Sequence, residues 1–310
     1  TCLLVSLALL LLGQSLPLIY LGAYLLGLGQ SGTQVGHNSM VGLRAGHNAA
    51  RMLNRLNAFF GVGALTGPLF VSLGYGLFDD ASVAFLLAFA LSAPLWIGAW
   101  TWRDSVTPAV AHKPAGLPLA QLLRQPVLWL LGVIASIYVS SEVAFSGWVA
   151  VYAERGSGVS AAQSALLVTV FFGAFTLGRY VTDLISRWVK PPVIVSGAIA
   201  LTGMGLALMT ALPGLFAINL AGAFVVGFAM SPIYPILISY GIRLFPRNAT
   251  VVTGFLTSMA ALATLAIPSI VGLVMASQGI TAAWGLLLLI VAVLGSGWAL
   301  LRRMLARQLE

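Results

Sequence analysis

Long apolar runs follow one another along nearly the whole chain, broken only by short stretches rich in Gly, Pro or charge. Runs of this length predict helices that cross a bilayer rather than strands, and they fall at about 2 to 16, 18 to 41, 50 to 76, 82 to 102, 126 to 152, 160 to 186, 191 to 212, 214 to 242, 249 to 277 and 281 to 301. Polar residues that interrupt such runs are costly and therefore informative. The stretch Tyr138 to Tyr152, YVSSEVAFSGWVAVY, holds an acid, Glu142, about fifteen residues into an apolar run that begins at Val127. That is roughly 22 Å along a helix, well below either surface. A carboxylate at this depth costs about 2.5 to 3.5 kcal/mol on insertion scales, so it should face a partner or a wet cavity instead of lipid. Steps of four, three, four and three place Tyr138, Glu142, Phe145, Val149 and Tyr152 on one stripe. The run from 214 to 242 contains Pro232 and Pro235 beside Tyr234. Each proline removes a helical hydrogen bond, so a bend or loosening is expected there.

Composition agrees with the pattern. Of 310 residues 60% are hydrophobic and 7% charged, with a mean hydropathy of +1.01, which no water-soluble domain carries without large exposed apolar patches. The formal charge of +8 does not indicate nucleic acid, because the fifteen basic residues are scattered between apolar runs. Fourteen of them lie in or beside alternate connections: Arg44, Arg51 and Arg55; Arg103, Lys113 and Arg124; Arg179, Arg187 and Lys190; Arg243 and Arg247; Arg302, Arg303 and Arg307. The opposite side has Arg155 with Asp79, Asp80 and Glu154. The positive-inside rule assigns the first set, and both ends of the chain, to the cytoplasm. One cysteine, Cys2, and three scattered histidines give neither an internal disulfide nor a metal site.

The longest connection carries Pro108, Pro114 and Pro118 and reads as a cytoplasmic linker, 103–125, between an N-terminal bundle, 1–102, and a C-terminal bundle, 126–310. Four spans precede it and six follow. Arg44 precedes Gly67-Pro68 by about the spacing that separates Arg243 from Pro268, a weak internal repeat that fits two related bundles. With a short first span and no initial methionine, the expectation is a six-plus-six protein of which two leading helices are not in this chain. Gln34, Asn38, Asn54 and Asn57 stand at membrane depth among small residues, where amides hydrogen-bond between helices or line a polar path.

Several motifs in order resemble the major facilitator superfamily, closest to its fucose-permease-like and sugar-porter branch. They are Gly27-Leu28-Gly29 leading to Asn38; Leu53-Asn54 followed by Gly61-Val62-Gly63 and Gly67-Pro68; Glu142 with Gly147-Trp148 and Tyr152; the stretch GAFTLGR from Gly173 to Arg179; and Ser231-Pro232-Ile233-Tyr234-Pro235. The resemblance covers the whole chain, as the third to twelfth family helices. It implies an all-α membrane protein of two helical bundles, with ten of twelve transmembrane helices present. Its implied function is secondary active transport of a small polar solute, with a sugar the leading class, by alternating access. It also implies a proton or sodium ion as coupling partner, no cofactor, and a monomer in the bacterial inner membrane. Where the family often carries an acid for proton coupling, four residues before the asparagine, this chain has Gln34, which cannot titrate at ordinary pH. The expected binding or coupling set is Glu142, Gln34, Asn38, Asn57, Tyr138, Phe145, Trp148, Tyr152 and Tyr234, and the expected gate is Arg179 with Asp183, four residues on and within reach of an intrahelical pair. Asn219 and Trp284 could add polar edges.

Aromatic platforms and amides suit the apolar faces and hydroxyls of sugars. An efflux carrier for amphipathic compounds is the near alternative, and a transporter-like receptor a more distant one. The spans contain no HExxH, no paired aspartates and no GxxxxGK loop, which argues against an intramembrane enzyme or an ATP-driven pump.

Overall fold

Each apolar run becomes a helix because a backbone in lipid must satisfy its own hydrogen bonds. The computed structural model describes residues 1–13, 15–78, 80, 82–101 and 116–309. Its helices are α1 (Cys2–Leu12), α2 (Leu16–Ala45), α3 (Ala49–Phe78), α4 (Val83–Thr101), a single turn α5 (Leu119–Leu122), α6 (Pro126–Ser157), α7 (Ala161–Ile185), α8 (Pro191–Ala211), α9 (Phe216–Met230), α10 (Ile233–Leu244), α11 (Ala249–Gln278) and α12 (Ile280–Leu309). All ten expected spans are occupied by helix, and no strand occurs among the described residues. Asp79 and linker residues 102–115, with Arg103, Pro108, Lys113 and Pro114, lie outside the described residues.

Boundaries follow local chemistry. Pro126 opens α6, and Pro191 with Pro192 opens α8, at positions where the missing N–H has no helical acceptor to lose. Ser160 and Gln163 form a reciprocal capping box that starts α7. Asp80 precedes α4 and accepts from the Ser82 backbone N–H at 2.8 Å and hydroxyl at 2.6 Å, which hold its carboxyl below the usual range. The predicted weak point in the 214–242 span is a break: α9 stops at Met230, and α10 restarts at Ile233 after Pro232.

Among the described residues six stretches are long and apolar enough to cross a membrane: Pro126–Ser157, Gln163–Ile185, Pro191–Ala211, Phe216–Leu244, Pro246–Gln278 and Ile280–Leu305. Cys2–Leu12 and Val83–Gly98 are apolar and shorter. The helices α2 and α3, at 30 residues each, have ample length, about 45 Å, but are interrupted by the glycines and amides already noted.

The chain groups into two units, Thr1–His37 with Gly63–Gly116, and Asn38–Val62 with Leu117–Glu310. In the first, α1 packs on α4, and the Trp96 indole donates to the Thr1 hydroxyl at 3.3 Å. In the second, α6 packs on α11 and α12, α9 lies between α7 and α8, and the ends of α2 and α3 from Asn38 to Val62 join the same unit. Its core runs through Leu53, Leu131, Tyr138, Phe145, Tyr152 and Trp284, all 1% exposed or less. The crossing of α7 and α9 is close because glycine sits on both sides. A Cβ on Gly178 would stand 2.5 Å from the Phe228 carbonyl oxygen, and one on Gly227 would stand 2.3 Å from that of Phe171.

Candidate functional site

The stripe predicted on α6 faces the interior, and its two halves differ. Near mid-helix the Tyr138 hydroxyl donates to Glu142 Oε2 at 2.6 Å, the four-residue spacing placing one side chain over the other. The Tyr138 ring lies nearly parallel to that of Tyr234 on α10, with centres 6.5 Å apart and planes at 19°. Tyr234 is in turn hydrogen-bonded to Thr257 of α11 at 3.0 Å. Tyr234 reaches this position just after the Pro232 break, so α10 starts at the depth of the carboxylate. Glu142 itself is half-buried.

Towards the other end of α6 the stripe is packed core. Phe145 lies 5.2 Å from Phe171 and 5.8 Å from Trp284, while Tyr152 stacks on Trp284 at 3.9 Å and donates to the Met209 carbonyl at 2.5 Å. Trp148 turns to α11, where its indole donates to the Pro268 carbonyl at 2.9 Å and its ring fills the space beside Gly272. Asn219 ties the outer ends of α6 and α9 together, donating to Ser157 Oγ at 2.8 Å and the Pro213 carbonyl at 2.9 Å.

The amides form a second polar group. Asn57 of α3 donates to Asn38 Oδ1 of α2 at 3.2 Å and to its own helix at the Leu53 carbonyl, while Asn54 donates to the Ala50 carbonyl at 2.9 Å. Asn38 Nδ2 and Asn54 Oδ1 are buried without a hydrogen-bond partner among the described residues, a donor and an acceptor whose desolvation is uncompensated. Gln34 lies one turn earlier on α2, half-buried, in the other unit.

Arg179 and Asp183 both reach α3, and here the structure departs from the expected intrahelical pair. Asp183 Oδ1 accepts from Arg51 Nε and its Oδ2 from Arg55 Nη2, each at 2.9 Å. Arg51 and Arg55 are four apart and so share one face of α3, which lets a single carboxylate take both. Arg179, 4% exposed, places its guanidinium carbon 4.4 Å from the Phe175 ring centre and donates to the Asn57 carbonyl. The guanidinium on α7 thus meets the backbone of α3 at one of its amide residues.

In the sequence Arg51 and Arg55 mark sidedness only, and Thr257 stands out in no way. The i, i+4 arginine spacing was a usable signal for the first two; nothing local distinguishes Thr257. No group of three or more His, Cys, Asp or Glu that could hold a metal occurs among the described residues.

Comparison with known proteins places the fold. Among curated relatives, an MFS-type transporter of Bacillus subtilis strain 168, YfkL, is 25% identical over 240 residues, 73% of this chain and 58% of that protein. A TsgA homolog of Serratia proteamaculans strain 568 is 23% identical over 280 residues, 88% of this chain and 69% of its own. The chain therefore spans little more than half the length of YfkL. Among solved structures, a variant of the Escherichia coli fucose:proton symporter FucP aligns with a TM-score of 0.78 at 18% identity, covering 97% of this chain and 81% of that one. The human organic anion transporter MFSD10 aligns at 0.74 and 18% identity, covering 96% and 74%. These two structures share the fold. The sequence profile of the Major Facilitator Superfamily matches residues 1–268, and the chain is a multi-pass integral membrane protein that belongs to that family.

Proposed function

We propose that this protein is a secondary active transporter of a small polar solute, with a sugar as the favoured class, working as a monomer in a bacterial inner membrane. The bundles 1–102 and 126–310, joined by the cytoplasmic linker 103–125, alternate access to a polar site, and Glu142 carries the coupling proton. The observation that carries this reading is a carboxylate midway along a membrane helix, bonded by Tyr138. Protonation converts Glu142 from an acceptor only into a donor that keeps acceptor capacity, so its new O–H needs an acceptor of its own while the Tyr138 bond is kept. A solute hydroxyl supplies such an acceptor, which links proton and solute in one site. The paired tyrosine rings and the unsatisfied Asn38 and Asn54 atoms support a solute rich in hydroxyls. The fold shared with a fucose:proton symporter points the same way. Arg51, Arg55 and Asp183 serve as the cytoplasmic clasp of the cycle, with Arg179 above them.

Glu142→Gln tests the coupling, because it keeps size and hydrogen bonding while removing the titrating proton. The expected outcome is loss of pH-driven accumulation with solute exchange retained in vesicles. Accumulation equal to the parent across the pH range would remove Glu142 from the mechanism.

One feature favours a second reading, a carrier of amphipathic organic anions: the guanidinium of Arg179 is buried near the same site, and the fold is shared with an organic anion transporter. Counterflow against labelled neutral sugars and labelled organic anions separates the two.

A further inference from the structure

A cavity of about 190 Å³ lies between the last turns of α7, the first turns of α8 and the end of α9, away from Glu142 and the amides. Its walls include Val181, Ile185, Val189, Val193 and Phe228, with Gly197 at its floor. On α8 the residues Val193, Gly197 and Leu201, four apart, are exposed in a row, so the cavity is a slot along the outer face of the unit. Glycine at the centre of that row deepens it, since a Cβ on Gly197 would find nothing within 4 Å. The slot descends from Val189 at the α7–α8 turn to Leu201, about 12 Å of helix beyond Val193, a depth within one leaflet.

An apolar slot alone selects nothing in a membrane, because lipid tails are as apolar as the walls. The turn above it adds selectivity. Arg187 and Lys190 flank Val189, both are exposed, and neither has an ion-pair partner among the described residues. Between them Trp188 stands 77% exposed, as an indole does at the headgroup level. Lys190 is also the N-cap of α8, so its cation stands one residue before the helix that bears the slot. The basic asymmetry of the chain puts this turn on the cytoplasmic side.

We propose that an anionic phospholipid of the cytoplasmic leaflet binds here, with one acyl chain in the slot between α7, α8 and α9 and its phosphate on Arg187 and Lys190. The phosphate supplies the charge that two unpaired cations require, and the chain fills the row opened by Gly197. The site is separate from the solute path proposed above, and its test does not depend on transport.

The experiment uses the purified chain in phosphatidylcholine nanodiscs doped with spin-labelled phosphatidylglycerol or, in parallel, spin-labelled phosphatidylcholine. The parent should immobilise the anionic probe in preference to the neutral one. Arg187→Gln or Lys190→Gln alone should lower that preference roughly fivefold, and the double variant about thirtyfold. Gly197→Phe, which places a ring in the slot, should release the labelled chain, while Gly197→Ala should retain it. Arg187 and Lys190 are exposed, so their variants keep the fold and remain informative if Gly197→Phe does not. Equal retention of both probes by the parent, an unchanged preference in the double variant, or an unchanged signal in a folded Gly197→Phe protein would each overturn the site and leave ordinary boundary lipid only.

Discussion

Replacing Asp183 with Asn removes the charge that holds α7 to α3 while keeping the shape of the side chain. At about 4 Å between charge centres a pair is worth about 4 kcal/mol at an effective dielectric of 20 and about 1 kcal/mol in bulk water. The Arg55 side chain is 52% exposed, which puts its bond to Asp183 in the surface class, about 0.5 kcal/mol. Arg51 and Asp183 are 23% and 9% exposed, so their bond is screened less, and about 2 kcal/mol remains after the cost of desolvating both ions. The sum is about 2 to 3 kcal/mol, a factor of roughly 30 to 150 in any equilibrium that opens the clasp. A double-mutant cycle isolates it: Asp183→Asn, Arg51→Gln, Arg55→Gln and the two doubles, each measured by reversible unfolding in mixed micelles. The coupling of Asp183 with Arg51 should approach 2 kcal/mol and exceed that with Arg55 by at least threefold. A coupling with Arg51 below about 0.4 kcal/mol, the error of additivity for independent sites, would refute the reasoning. So would an Arg55 coupling larger than that of Arg51, since exposure would then not be what ranks them.

Three further outcomes follow from particular contacts. Gly227→Ala forces a methyl against the Phe171 carbonyl and should cost about 1 to 3 kcal/mol, read as a lower melting temperature. Tyr152→Phe keeps the stack on Trp284 and loses only the bond to the Met209 carbonyl, so its cost should be about 0.6 kcal/mol and no more than about 1.7; a larger loss would mean the hydroxyl does more than join two helices. Impermeant thiol reagents on a Cys2→Ser background should modify a cysteine placed at Asp80 in intact cells and one placed at Arg187 only after permeabilisation, and the reverse pattern would overturn the sidedness.

The helices were readable from the sequence because lipid imposes one requirement on every run, and the break before Ile233 was readable because Pro232 and Pro235 cannot donate. Tyr138 over Glu142 was readable for the same kind of reason, a four-residue step within one helix. What periodicity could not say is what opposes a buried face. Glu142 and Tyr152 share a stripe, yet one meets a tyrosine pair while the other meets Trp284 and a carbonyl. Asp183 shows the same limit. Its local spacing offered Arg179, but its partners are 132 and 128 residues away on α3, and two arginines on one face outweigh one that is drawn off to a carbonyl and a ring.

That difference bears on how a proton at Glu142 would be felt at the clasp. The two lie on different helices, and α7 carries both Arg179 and Asp183, four residues apart, onto α3. Over such a short stretch α7 is stiff, and its glycine crossing with α9 leaves little slack on the far side, because Ser231 Oγ and the Phe228 carbonyl stand against Gly178 and the Phe171 carbonyl against Gly227. Arg179 also holds the Asn57 carbonyl of α3, the helix that bears both clasp arginines, so α7 and α3 are joined at two levels and not at one. Where the negative charge on Glu142 draws Arg179 towards α6, its loss leaves the arginine's hold on α3 unopposed. The clasp should then tighten rather than open when Glu142 is neutral, and Glu142→Gln should raise, not lower, the Asp183–Arg51 coupling in the cycle above. A coupling that stays the same in the Glu142→Gln background would show the two sites to be independent, however close their helices run.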